Sequence, residues 1–168
     1  MEASESKGNS LKYIFGAIFL VLFIAAVIFR WHFSTAYVYK ETGFSPNQDI
    51  EFLIYNEAGE AVLATQSDMW EKDFQMLFFY TERCSVCQRM EEFLPDFEKG
   101  CAPEKLEFIR VDVSLMHNSR IANEYRVRGV PMISMINREG DEVMSAIGFI
   151  RERDLRRQVE AIMNITCS

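Results

Sequence analysis

The chain has no run of basic residues. Across 168 residues, 18 lysines and arginines are outnumbered by 25 aspartates and glutamates, for a net charge of −7. A nucleic-acid surface needs clustered cations, so that class of partner is excluded. No segment repeats and none is of low complexity, which excludes solenoids and compositionally biased linkers. Only four cysteines are present, too few for a disulfide-dense scaffold but enough for one redox pair and one staple. What the chain does hold is apolar: 49% hydrophobic residues, 13% of all residues being aromatic. That supports a packed core and argues against disorder. The length suits one domain of ordinary size with an appendage.

Residues Gln75 to Met90 read QMLFFYTERCSVCQRM. The run Met76 to Tyr80 is short, aromatic-rich and abruptly ended, as a buried strand is. Met90, Phe93, Leu94 and Phe97 then recur at helical spacing. Cys84 and Cys87 therefore stand where a strand turns into a helix. There, unpaired backbone N–H groups and the helix dipole stabilise a thiolate on the first cysteine. The second, one turn along, is placed to attack a mixed disulfide made by the first. Redox chemistry is the reading this spacing favours. As half of a zinc site the pair needs two further ligands. There is no second C-x-x-C and no H-x-x-x-H, and Cys101 and His117 stand at irregular spacing. A purely structural disulfide is the other alternative, although so short a loop constrains little of the unfolded chain.

Before the domain, residues 1–12 form a polar tail, and Tyr13 to Phe29 (YIFGAIFLVLFIAAVIF) is seventeen residues without a charge. At about 1.5 Å per residue such a helix reaches roughly 25 Å, the low end of what spans a bilayer. Tyr13 and Trp31 bracket it as interface aromatics do, with Lys12 and Arg30 beside them. The expectation is a transmembrane helix over residues 13–33. Ser34-Thr35-Ala36 offers small residues for signal-peptide cleavage, but the apolar run exceeds the roughly seven to fifteen residues usual there. Lys7 and Lys12 before the span balance Arg30 and Lys40 after it. Charge therefore leaves the orientation open, and the short tail makes a cytoplasmic N-terminus the simpler topology.

Residues 34–48 are expected to be a linker, broken by Gly43 and Pro46, with the domain occupying 49–168. Ile50 to Tyr55 and Ala61 to Ala64 predict a hairpin, and Ser67 or Asp68 a short helix reaching Asp73. Pro95 is expected to kink or interrupt the C-x-x-C helix. Leu106 to Val113 reads as a strand and Ser119 to Tyr125 as a helix. Met132 to Ile136 and Glu142 to Ile147 form a second hairpin, and Arg151 to Met163 closes the chain as an amphipathic helix. The alternation implies an α/β fold, with parallel pairing around the cysteines and antiparallel strands after them.

From about Ile50 to Met163 this order resembles the thioredoxin fold, a central mixed sheet with helices on both faces. FFYTERCSVCQRM resembles that family's strand, C-x-x-C and helix. NEYRVRGVPMISMINREGDEVMSAIGF resembles its second signature, a Gly-Val-Pro turn, a hairpin and a strand ending in Gly. The interval from Cys84 to Pro131 is that of the plain domain, while the leading hairpin resembles membrane-tethered cytochrome-maturation members. The resemblance implies that Pro131 is cis beside the cysteine pair, exposing the Val130 backbone to an extended substrate segment. Three positions depart from the family. Arg83 stands where Trp is frequent, and Phe78 where a buried acid helps move the resolving thiol's proton, leaving Glu82 or water as substitutes. Ser85-Val86 matches neither the reductant nor the strong-oxidant dipeptide, so the direction of electron flow stays open. Arg83 and Arg89 either favour the thiolate or simply solvate a helix start. His117 reads as a surface loop residue, and Asn164-Ile165-Thr166 fits a glycosylation sequon.

The activity so implied is that of a membrane-anchored thiol–disulfide oxidoreductase exchanging disulfides with envelope proteins. Cys84 would attack, Cys87 would resolve, and Val130 and Pro131 would hold the substrate. No organic cofactor and no metal is required. The implied partners are protein thiol or disulfide substrates and a redox partner protein. A single span with a cytoplasmic N-terminus would place the domain in an extracytoplasmic compartment, the bacterial periplasm being the expected one. The rival from another class is a thioredoxin-fold binding or assembly module of an envelope or secretion machine, with little turnover. In the thioredoxin arrangement the helices preceding Cys101 and Cys167 share a face and a direction, which brings both cysteines to the end far from the pair. A bridge between them and two unrelated thiols are both compatible with that layout.

Overall fold

The computed structural model describes residues 18–27, 37–40 (backbone only), 43–55, 58–101 and 103–168. The chain forms two compact units, residues 1–35 and 36–168. In the first, residues 18–27 are helical and exposed on every side, including Phe19, Leu20, Val21 and Leu22. Among the described residues no helix is long and apolar enough to cross a membrane. The polar tail, both ends of the expected span, Trp31 and the small residues of the cleavage site lie outside the described residues.

The second unit is built on a five-stranded sheet in the order β1-β7-β6-β4-β5. Its strands are β1 (Tyr37–Lys40), β4 (Phe74–Tyr80), β5 (Leu106–Asp112), β6 (Met132–Asn137) and β7 (Glu142–Ile147). A separate two-stranded sheet pairs β2 (Phe52–Tyr55) with β3 (Ala61–Ala64). Strand β4 runs parallel to β5 and antiparallel to β6, so the sheet is mixed. The expected linker is corrected here: Tyr37–Lys40 is a strand, pairing antiparallel with β7 from Tyr37 opposite Ile147 to Lys40 opposite Met144. The physical reason is the open edge of β7, whose N–H and C=O groups need partners. The alternating aromatic and β-branched residues of YVYK suit a strand.

Strand β4 reads as an unbroken apolar run because both of its faces are covered. Met76 and Phe78 face Met90, Leu94 and Phe97 from the helices α1 (Ser85–Glu91) and α2 (Leu94–Gly100), and Leu155 and Val159 from α4 (Glu152–Met163). Leu77 and Phe79 face the other way, towards Phe52 of β2 and towards Ile121 and Tyr125 of and beyond α3 (Ser119–Glu124). Met76 to Phe79 are wholly buried, and a large apolar side chain so placed contributes about 1.5–3 kcal/mol.

The helix after the cysteines breaks ahead of Pro95, which falls in the first turn of α2, where a missing N–H costs no helical bond. Arg110 of β5 closes over the break. Its Nε lies 3.2 Å from Glu91 at the end of α1, its Nη2 is paired with Glu98 of α2, and its guanidinium stands over the Phe108 ring. The segment Ser67–Met69 is a single 3-10 turn rather than the longer helix expected to Asp73. Asn118, the fully buried last residue of a second 3-10 turn, bonds the N–H and C=O of Leu53 and the C=O of Asp112, stitching β2 to the end of β5.

Beyond α4, Asn164 takes the left-handed conformation and the chain turns back towards α2. Cys167 is joined to Cys101 with their Cα atoms 4.4 Å apart. Ser168 N–H donates to Gly100 C=O at 2.8 Å. A Cβ on Gly100 would lie 2.6 Å from the Ser168 carbonyl oxygen, so this approach requires glycine.

Candidate active site

Among the described residues, four connections meet at one end of the sheet. Tyr80, the last residue of β4, is opposite Asp112, the last of β5; Phe79 is opposite Met132, the first of β6; and Met132 is opposite Ile147, the last of β7. The turn from β4 to α1 carries the cysteine pair. Cys84 N–H donates to Thr81 C=O at 3.1 Å, which holds the turn tight, and Cys84 itself is the N-cap of α1 with extended backbone. Its Sγ accepts the Cys87 N–H at 3.1 Å, and its C=O receives the Gln88 N–H at 3.0 Å. The Gln88 side chain reaches back to Glu82 C=O at 2.9 Å, fixing the turn from outside.

Cys84 and Cys87 are joined as a disulfide, Cα to Cα 5.2 Å. The two sulfurs are not equivalent. Cys84 is half-buried at the surface, whereas Cys87 is 1% exposed and belongs to the core beneath α1. An incoming thiolate has access to the outer sulfur, and the inner one is reached only through it. The N–H aimed at Cys84 Sγ is also the contact that stabilises a thiolate there after reduction.

The second wall of the site is the loop before β6. The Val130–Pro131 peptide bond is cis. Val130 is half-buried and packs against the cores of both faces of the sheet. Pro131 is buried, and its C=O accepts the Gly148 N–H at 2.8 Å, joining this loop to the end of β7. Phe149 follows and packs on the same core as Cys84 and Cys87, with the Arg89 guanidinium 5.0 Å above its ring. Thus Cys84, Cys87 and Val130 are gathered at one end, and the bridge of Cys101 to Cys167 lies behind α2 and α4.

Phe78 is fully buried in an aromatic stack, 5.7 Å and nearly parallel to Tyr80 and 6.3 Å from Phe108. No carboxylate occupies that position, and Glu82 is exposed in the outer turn. His117 is exposed on the 3-10 turn after β5. Tyr80 was not singled out by sequence reasoning, because the groups that define it come from other elements. Burial first, then the carboxylates of Asp112, Glu91 and Glu82, push its phenol above the usual tyrosine range, so it stays protonated as a potential donor beside the site. Among the described residues no group of three or more His, Cys, Asp or Glu is arranged to hold a metal.

A model of the thioredoxin-like domain family matches residues 68–162. No curated protein sequence matches the chain. Among solved structures, a Chlorobium tepidum protein assigned as the thiol:disulfide interchange protein DsbE is 15% identical with a TM-score of 0.54, covering 70% of this chain and 96% of that one. Thioredoxin from Fasciola hepatica is 26% identical with a TM-score of 0.47, covering 54% of this chain and 82% of its own. Oxidised thioredoxin from Plasmodium falciparum is 22% identical with a TM-score of 0.46, covering 54% and 82%. The likeness to the Chlorobium protein is one of fold.

Proposed function

The chain belongs to the thioredoxin-like domain family, and on that premise we propose that it is a thiol–disulfide oxidoreductase acting through Cys84 and Cys87. The observation that carries this reading is the asymmetry of the pair: an outer sulfur that accepts the Cys87 N–H in the first turn of α1, and an inner one sealed in the core. In the reducing direction the Cys84 thiolate attacks a substrate disulfide, forming a mixed disulfide and expelling one substrate thiolate. Cys87, as thiolate, then attacks Cys84 Sγ, closing the Cys84–Cys87 bond and releasing the second substrate thiol. Two electrons pass to the substrate. The reverse sequence begins with a substrate thiolate on Cys84 and oxidises the substrate. The backbone of half-buried Val130, beside Pro131, would pair with an extended substrate segment as an added strand.

We place the domain at a membrane, in an extracytoplasmic compartment. The uncharged stretch from Tyr13 to Phe29 supports the anchor, and the Cys101–Cys167 bridge supports the compartment, since such disulfides seldom persist in the cytoplasm. Resistance to alkaline extraction from membranes at full mass is the expected result. A mature chain starting near Tyr37 overturns the anchor, and a domain wholly protected from external protease overturns the compartment.

The deciding experiment is trapping with Cys87→Ala. Without the resolving thiol, Cys84 should retain substrates as stable mixed disulfides identifiable by mass. Phe78 supports a second reading, a binding or assembly module, because the aromatic stack there supplies no base for the resolving step. Disulfide-reductase activity equal to that of Cys84→Ser, with no trapped partner, would decide for that module.

A further inference from the structure

The rim of this site is basic although the chain is acidic. The connections at the active-site end comprise the turn Thr81 to Cys84, the first turn of α1, the loop from Val113 to Asn118, the loop from Arg126 to Pro131 and the turn after β7. Arg83 adjoins Cys84, Arg89 lies over Phe149, and Arg128 stands two residues before Val130; all three are exposed. Among the described residues none of the three forms an ion pair. Among the described residues of these connections the only exposed carboxylate is Glu82, beside Arg83; Arg89 itself lies beyond them, in the last turn of α1. Of the neighbouring acids, Glu91 pairs with Arg110, Asp154 with Arg151 and Arg157, and Glu152 with Arg156, while exposed Glu92 stands at the C-terminal end of α1, the end opposite Cys84. A chain of net charge −7 therefore places three exposed arginines on the segments that carry or adjoin Cys84, Phe149 and Val130, with no ion pair to any of them among the described residues.

We propose that the protein substrate, or redox partner, presents its reactive cysteine in an acidic segment, recognised by Arg83, Arg89 and Arg128. This inference rests on the oxidoreductase reading of the same site and names its substrate class. Arg83 and Arg89 stand on the cysteine side, in the turn before α1 and on α1 itself, and Arg128 stands on the loop that carries Val130, so carboxylates on either side of the substrate cysteine would have a cation within reach. The rest of the protein is net negative, so the overall field disfavours an acidic partner away from such arginines and helps to orient the encounter. Val86, Val130 and Phe149, each half-buried, leave apolar surface between the charges for the residues next to the cysteine.

The test uses the full chain, reduced, in non-ionic detergent. Two peptides share one intramolecular disulfide and differ only in flanking residues, two glutamates or two lysines on each side. Each rate of reduction is divided by that peptide's rate with dithiothreitol, an uncharged thiol, which cancels the effect of the flanks on the disulfide itself. The acidic peptide should react about tenfold faster at low salt. The two rates should converge to within about twofold near 1 M salt, where the screening length is about 3 Å. The triple variant Arg83→Gln, Arg89→Gln, Arg128→Gln should lose the preference. Arg128→Gln alone, farthest in sequence from the cysteines, should lower it about twofold. Because the readout is a ratio, a change in Cys84 reactivity does not move it. A wild-type ratio near one, or one unchanged in the triple variant, overturns the inference while leaving the oxidoreductase reading intact. Absence of exchange with both peptides and with a small neutral disulfide overturns both.

Discussion

Removing the bridge between Cys101 and Cys167 tests how the end of the chain is held. The two residues are 66 apart in sequence and their Cα atoms 4.4 Å apart. Closing a loop of that length removes denatured-state entropy equivalent to about 4 kcal/mol, whereas the same expression gives about 2 kcal/mol for the short Cys84–Cys87 ring. For a compact unit spanning Ala36 to Ser168, an unfolding entropy of about 2.1 cal/mol/K per residue converts 4 kcal/mol into roughly 15 °C of midpoint. The double variant Cys101→Ala, Cys167→Ala keeps the hydrogen bonds of Ser168 with Gly100 and Arg156, so the tail retains a noncovalent hold. Denaturant and thermal unfolding of oxidised full-length chain should show the larger loss for this variant and about half of it for Cys84→Ala, Cys87→Ala. Peptide mapping without reductant should find Cys101 linked to Cys167. A loss under about 1 kcal/mol, or a ranking with the Cys84–Cys87 variant the less stable, refutes the loop-entropy argument.

Arg110→Ala removes two charge-assisted contacts across the break between α1 and α2 and the packing over Phe108. It should cost about 2–3 kcal/mol in denaturant unfolding, and a loss under about 0.5 kcal/mol would show that the clamp is idle. Burial, only partly offset by the Gln75 hydrogen bond and Lys72, lifts the Glu107 carboxyl above its usual range. Its contribution to stability is therefore complete below the ordinary carboxylate range and is lost as pH rises through the raised folded value. Glu107→Gln should gain on the wild type from acid to neutral pH, and a gap that narrows instead contradicts the assigned cause. Gly140, at φ +89° in the turn between β6 and β7, would bring a Cβ within 2.1 Å of the Gln48 side-chain nitrogen. Gly140→Ala should cost about 1–2 kcal/mol, whereas an unchanged unfolding midpoint would mean the turn relaxes freely.

The sequence by itself determined what depends on near neighbours. Met76 to Tyr80 announces a strand, the recurrence from Met90 to Phe97 a helix, Pro95 its break, and Cys84 with Cys87 a pair at the junction, because period, ring chemistry and spacing are properties of contiguous residues. Folding decided what depends on distant ones. Tyr37–Lys40 looked like a linker because nothing in four residues tells which sheet edge will be open; β7 supplied that edge from more than a hundred residues away. The meeting of Arg110 with Glu91 and Glu98 needed β5 to lie parallel beside β4, under the helix break. Phe78 could be read as lacking a carboxylate, but only packing shows that its place is an aromatic stack shared with Tyr80 and Phe108. The same holds at the site: the cysteines are local, while their unequal burial and the packing of Val130 and Phe149 on the same core exist only once four strand ends are brought together. Hydrogen-bond pairing and core burial act across any sequence distance once the chain has folded, and a sequence read locally records only the near part of both.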